Sequence, residues 1–137
     1  MYLLDTNVLS ELRRRDRTNP TVAAWADSVH PADLFLSAIT ILEIEAGTLM
    51  MERRDKAQGA MFRAWIDDKV LPAFDTRILP VDTAVALRCA RLHVPDPRSE
   101  RDALIAATAL VHGFKLVTRN TADFAAMGVD LINPWEN

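Results

Sequence analysis

Short apolar runs alternate with amphipathic stretches along the whole chain. Tyr2-Leu3-Leu4 stops at Asp5-Thr6-Asn7, the pattern of a buried strand ending in polar residues. Val8 to Arg15 reads as a short helix. Asn19 can cap a second helix whose first turn holds Pro20, with Val22, Trp25 and Val29 at helical spacing and Pro31 ending it. Leu34 to Ser37 reads as another strand. Thr40-Ile41-Leu42-Glu43 has capping-box form, which predicts a helix from there to about Arg54. An amphipathic helix near Ala57 to Val70 would turn Met61, Trp65 and Phe62 to the core. Arg77 to Pro80 is a short strand at best, limited by Pro80. Asp82 can cap a helix running through Leu92. Val94-Pro95-Asp96-Pro97-Arg98 is a loop. Asp102 to Val111 is a strongly apolar helix closed by Gly113. Lys115 to Thr118 is a strand, followed by a short helix, Gly128 and a last strand near Asp130 to Ile132.

Apolar strands alternating with helices predict an α/β fold with a mostly parallel sheet covered on both faces. Right-handed crossovers then place every strand C-terminus along one edge, where sites of such sheets form. The length of 137 residues fits a single domain over 1–137, and 50% hydrophobic residues suffice for its core. The formal charge of -3 argues against a simple basic surface for nucleic acid, though not against a site where metal ions reverse the local charge. The single Cys89 excludes a disulfide framework and a cysteine-built zinc site. No apolar run has the roughly 18 residues of a membrane helix, and the start lacks the form of a secretory signal, so a cytoplasmic protein is expected.

Four acids fall just after a strand or at a helix start: Asp5, Glu43, Asp102 and Asp123. Carboxylates gathered at one sheet edge suit hard divalent ions such as Mg²⁺ or Mn²⁺, and these suit phosphodiester hydrolysis. Each acid also has a plainer reading. Asp5 could simply end a strand, and Glu43 could bridge back to the Thr40 amide. Asp102 could complement a helix dipole, and Asp123 could cap a turn.

The local strings narrow this. Met1-Tyr2-Leu3-Leu4-Asp5-Thr6-Asn7-Val8-Leu9-Ser10-Glu11 resembles the opening of a PIN-domain ribonuclease. Leu36 to Gly47, Asp102 to Ala109, and Thr118-Arg119-Asn120-Thr121-Ala122-Asp123-Phe124 resemble that family's later motifs in order, and Asn133-Pro134-Trp135 its ending. The likeness is to VapC-like toxins of type II toxin–antitoxin pairs, including the FitB-like branch. It implies a PIN-like three-layer sandwich with about five strands and a Mg²⁺- or Mn²⁺-dependent endoribonuclease. By position it implies that Asp5, Glu43, Asp102 and Asp123 are catalytic and coordinate metal, and that Thr6, Asn7, Thr118 and Asn120 are supporting polar groups. It implies an RNA substrate, a cognate antitoxin, a homodimer, and operator DNA bound only through the antitoxin.

Arg119, beside the fourth motif, is a candidate RNA contact. Arg13, Arg14, Arg15 and Arg17 could touch RNA backbone but read more simply as a solvated helix end. Trp25, Phe62 and Trp65 read as core or interface rather than base-stacking platforms. Apolar surface on the early helices could serve homodimerisation or hold an antitoxin tail. His30, His93 and His112 show no ligand spacing, and Cys89 reads as a small buried residue. A phosphoacceptor receiver domain would need an acidic pair after the first strand, and a haloacid-dehalogenase-like phosphatase would need Asp at position 7, where Asn7 stands. The remaining alternative is a catalytically silent PIN-like protein-binding module.

Overall fold

A computed structural model describes residues 1–136. Five parallel strands form one sheet in the order β3-β2-β1-β4-β5, with β1 at Tyr2–Leu4, β2 at Leu34–Ser37, β3 at Ile78–Leu79, β4 at Lys115–Val117 and β5 at Leu131–Ile132. The strands are short apolar runs because both of their faces are covered. Successive residues point to opposite faces. Leu3, Phe35, Leu79, Leu116 and Leu131 enter one core. Leu4, Leu36, Ile78, Val117 and Ile132 enter the other.

The first core is closed by α6 (Thr83–Leu92), α7 (Glu100–His112) and α8 (Thr121–Phe124). Helix α7 contributes an uninterrupted run from Ile105 to Ala109 with every residue buried, which lets it lie close on the sheet. The second core is closed by α1 (Thr6–Glu11), α3 (Ala38–Arg54) and α4 (Lys56–Trp65), with Trp25 of α2 (Pro20–Ser28) at its margin. The chain then turns through Leu71–Ala73, termed α5, before β3. The three-layer arrangement is the expected one.

Local chemistry sets most boundaries. Asn19 Oδ1 accepts from the Thr21 amide at 2.9 Å, and Asp82 Oδ1 accepts from the Val85 amide at 3.0 Å, so both predicted caps form. Gly113 adopts φ 70° and ends α7 in the left-handed conformation that glycine tolerates best.

Three expectations need correction. Helix α1 ends at Glu11 rather than Arg15, because Thr18 Oγ1 donates to the Glu11 and Arg14 carbonyls at 3.0 and 2.8 Å and folds the Arg-rich segment into a turn. Helix α3 starts at Ala38, capped by Ser37 Oγ, which accepts from the Ile39 amide at 3.0 Å. Thr40 is therefore buried inside α3, and its capping-box pairing with Glu43 does not form. Met61 is exposed at 48% rather than turned to the core. Beyond Trp65 the backbone widens into a π turn over Ile66–Val70, which keeps both Ile66 and Val70 in the core.

Candidate functional site

Chain connections run outward from β1 in two directions. The β1–β2–β3 half builds one side, and β4 and β5 build the other. Such a reversal leaves a crevice beyond the strand C-termini, here between β1 and β4. Asp5 ends β1 at this point, and its amide donates to the Val117 carbonyl at 2.9 Å.

Asp5 is 6% exposed and organises its surroundings. Its Oδ1 caps α1 by accepting from the Thr6 amide at 2.8 Å. Its Oδ2 accepts from Thr118 Oγ1 at 2.8 Å and from Asn7 Nδ2 at 3.3 Å. Thr118 Oγ1 in turn accepts from the Asn120 amide at 3.0 Å, and Asn7 Oδ1 accepts from the Arg119 amide at 3.2 Å. The polar residues expected around the acids thus form one network joining the ends of β1 and β4. Burial pushes the Asp5 pKa up and Glu43 adds repulsion, while the Thr118, Thr6 and Asn7 bonds oppose that rise.

Glu43 reaches the crevice from the second turn of α3. Thr6 Oγ1 donates to its Oε1 at 2.6 Å, and Thr40 Oγ1 lies 3.3 Å from Thr6 Oγ1. The other Glu43 oxygen lies 3.8 Å from Arg101 Nη1. Asp102 stands in the first turn of α7. Its pKa is raised by burial first and then by the charges of Asp5, Asp123 and Glu43. Asp102 thus lies in the field of the other three acids, with Asp123 exposed on α8. Hard oxygen donors converging with so little cationic compensation match the donor set of Mg²⁺ or Mn²⁺. The quartet is spread out: among the described residues, no three of its carboxylates bring oxygens within 4.8 Å of one another.

Arg101 was absent from the sequence reading. It sits beside Asp102, but no single-sequence pattern separates it from other exposed arginines. Arg119 holds its guanidinium 5.0 Å above the Trp135 ring. Arg14 and Arg15 pair with Asp16 and Asp27, and Arg13 lies over Phe62 at 4.5 Å. A groove of about 360 Å³ also went unforeseen; it runs from Thr6 and Glu43 past Gly47 and Met51 to Phe62 and Trp65. Trp65 belongs to the second core, and Trp25 meets Tyr2 edge-on at 5.5 Å, in keeping with core roles. His93 Nε2 lies 3.8 Å from Cys89 Sγ, one helical turn away. Cys89 is buried, as expected.

Known proteins share this fold. Residues 2–129 match the PIN domain family. The chain is 39% identical over 141 residues to "VapC ribonuclease Y4jK" of Sinorhizobium fredii, covering 99% of each protein. It is 37% identical over 142 residues to "Toxin FitB" of Neisseria gonorrhoeae, covering 100% of each. A solved structure of FitAB bound to an IR36 DNA fragment superposes with a TM-score of 0.87 at 37% identity, covering 100% of this chain and 97% of that one. The chain belongs to the PIN domain family.

Proposed function

We propose that this chain is a metal-dependent endoribonuclease, a single-domain cytoplasmic toxin neutralised by a cognate antitoxin. The observation that carries the reading is the placement of Asp5, Glu43, Asp102 and Asp123 around the β1/β4 crevice, where burial first and then the charges of the other three acids raise the Asp102 pKa. The ribonuclease and toxin names of full-length relatives support it.

In this reading the four acids are the catalytic groups and hold Mg²⁺ or Mn²⁺. The ion, when bound, supplies a water of lowered pKa and a positive centre for phosphate oxygens. The chain's part is positioning. Asp5 is fixed by three donors, so its oxygens face the cleft without rotating. Thr6 holds Glu43 in one rotamer. Asn7, Thr118 and Asn120 tie the β1 end to the β4 end and keep the acids in register. Arg101 and Arg119 flank the cleft, where the negative RNA backbone would lie. The apolar groove leading away from Glu43 suits the antitoxin tail. A homodimer with antitoxin would engage operator DNA through the antitoxin, which the FitAB complex on DNA supports for this relative of FitB.

The test uses purified antitoxin-free protein and labelled RNA. Cleavage should require added Mg²⁺ or Mn²⁺, stop with chelator, and vanish in a folded Asp5→Asn variant. Full cleavage by that variant would sink the assignment. Intact RNA with wild-type protein, beside normal antitoxin binding, would favour the silent PIN-like module.

A further inference from the structure

A different set of donors gathers at the turn between α6 and α7. Cys89 and His93 stand one turn apart on one face of α6, and Glu100 opens α7. Cys89 Sγ lies 3.8 Å from His93 Nε2, which lies 3.4 Å from Glu100 Oε2. Among the described residues this is the one group of three such side chains whose ligand atoms all fall within 4.8 Å of one another.

A tetrahedral zinc ion with bonds of about 2.3 Å to sulfur and about 2.0–2.1 Å to nitrogen or oxygen places adjacent ligand atoms roughly 3.3–3.6 Å apart. The Cys89–His93 and His93–Glu100 spacings come within a few tenths of an ångström of these values, while the Cys89–Glu100 spacing, within 4.8 Å, has to close by up to about 1.2 Å. We propose that Cys89, His93 and Glu100 form a binding site for a thiophilic divalent ion of the zinc class, with water in the fourth position. Thiolate plus imidazole selects such ions over Mg²⁺, which wants oxygen alone. One thiolate in a mixed donor set escapes the argument that a single cysteine makes against cysteine-built sites. The Glu100 side chain is 73% exposed and that of His93 22%, so an ion has a path from solvent to the buried sulfur.

Protonation in the metal-free state supplies a signature. The Arg98 amide donates to His93 Nδ1 at 3.0 Å, so the neutral ring carries its proton on Nε2, facing Glu100. Metal loading replaces that proton, and Nδ1 takes one up from water. The Cys89 thiol releases its proton to solvent. The net change is one proton released, with ordered waters leaving the incoming ion. Nδ1 then becomes a donor, and the Arg98 amide loses its acceptor. Metal capture therefore re-seats the Val94–Arg98 loop, whose last residue lies two positions ahead of the α7 start. The inference is independent of the nuclease reading, because none of its ligands belongs to the acid quartet.

Co²⁺ is the probe, added to reduced full-length protein. A thiolate-to-cobalt charge-transfer band in the near ultraviolet should saturate at one ion per chain and disappear when Zn²⁺ displaces it. An ion held by carboxylates alone gives no such band. Asp5→Asn should keep the band, and Cys89→Ser should lose it. Glu100→Gln, at a largely exposed side chain, should weaken Co²⁺ binding at least about tenfold, the loss typical even of outer-shell partners, with an unchanged Tm in chelator showing that the fold is intact. The Arg98 amide resonance should shift as Zn²⁺ is added. Absence of the band in wild type, its loss in Asp5→Asn, or unchanged affinity in Glu100→Gln would overturn the proposal.

Discussion

Thr118 Oγ1 donates to Asp5 Oδ2 at 2.8 Å, joining residues 113 positions apart in sequence across the β1/β4 crevice. Valine has nearly the same shape as threonine but cannot donate. Thr118→Val would leave a buried carboxylate short of a donor, at a cost of about 1–3 kcal/mol. It should also raise the Asp5 pKa further, since the Thr118 bond opposes the effect of burial. Denaturant unfolding should give the stability loss. RNA cleavage should fall most at low Mg²⁺ and recover partly as the ion is raised.

Asp102 offers a test of sign. Its folded pKa lies above the ordinary value of 3.8, through burial and then through its acidic neighbours. A carboxyl raised in this way stabilises the fold while protonated, below its unfolded pKa. That stability is lost as pH climbs through the folded pKa. At neutral pH the ionised Asp102 therefore works against the metal-free fold. Asp102→Asn should raise the Tm at pH 7 in chelator, flatten the loss of stability above pH 3.8, and abolish cleavage. Calorimetry across pH would decide, and a variant with lower Tm at neutral pH would contradict the sign.

Arg101 is the cation beside Glu43, at 3.8 Å and on an exposed side chain. An ion bound near Glu43 must compete with it. Arg101→Gln should therefore tighten Mn²⁺ binding, by calorimetric titration, while raising the KM for RNA, because the cleft loses the cation beside Glu43. The fold should be unaffected, as the pair is open to solvent. Weaker Mn²⁺ binding in this variant would refute the competition.

Helices α3 and α4 are in contact at Gly59, where an added Cβ would meet Glu52 Cα at 2.5 Å. The same helix pair is tied by Arg63, which donates to Glu45 at 2.8 Å twice and to Glu52 at 3.2 and 3.3 Å. Gly59→Ala must push the helices apart, with an expected loss of about 1–3 kcal/mol in unfolding experiments. Because these helices wall the groove beside Glu43, antitoxin affinity should fall in parallel. Equal stability of the alanine variant would mean that the contact relaxes without cost.

The strands were legible because a doubly covered sheet leaves no choice but short apolar runs, and Asp5, Asp102 and Asp123 because each ends a strand or stands in the first turn of a helix. The start of α3 was misread because Thr40 and Glu43 satisfy the capping-box pattern, while the true cap, Ser37, lies inside the expected strand. Met61 was misplaced because it stands one turn before buried Trp65, where helical spacing alone does not tell a core position from an exposed one. The contact of Arg101 with Glu43 depends on how α7 lies against α3, which local sequence does not encode. The meeting of Cys89, His93 and Glu100 likewise exists only once the Val94–Arg98 loop has folded back and fixed the ring of His93.

The central position of β1 bears on when activity can arise during synthesis. Its partner β4 pairs Tyr2 with Lys115, so the second edge of β1 stays open until the chain through Lys115 has been made. Under the proposed function, cleavage can begin only after Asp102 and Asp123 have joined Asp5 and Glu43. A chain cut short before Asp102 therefore carries half of the quartet and no activity.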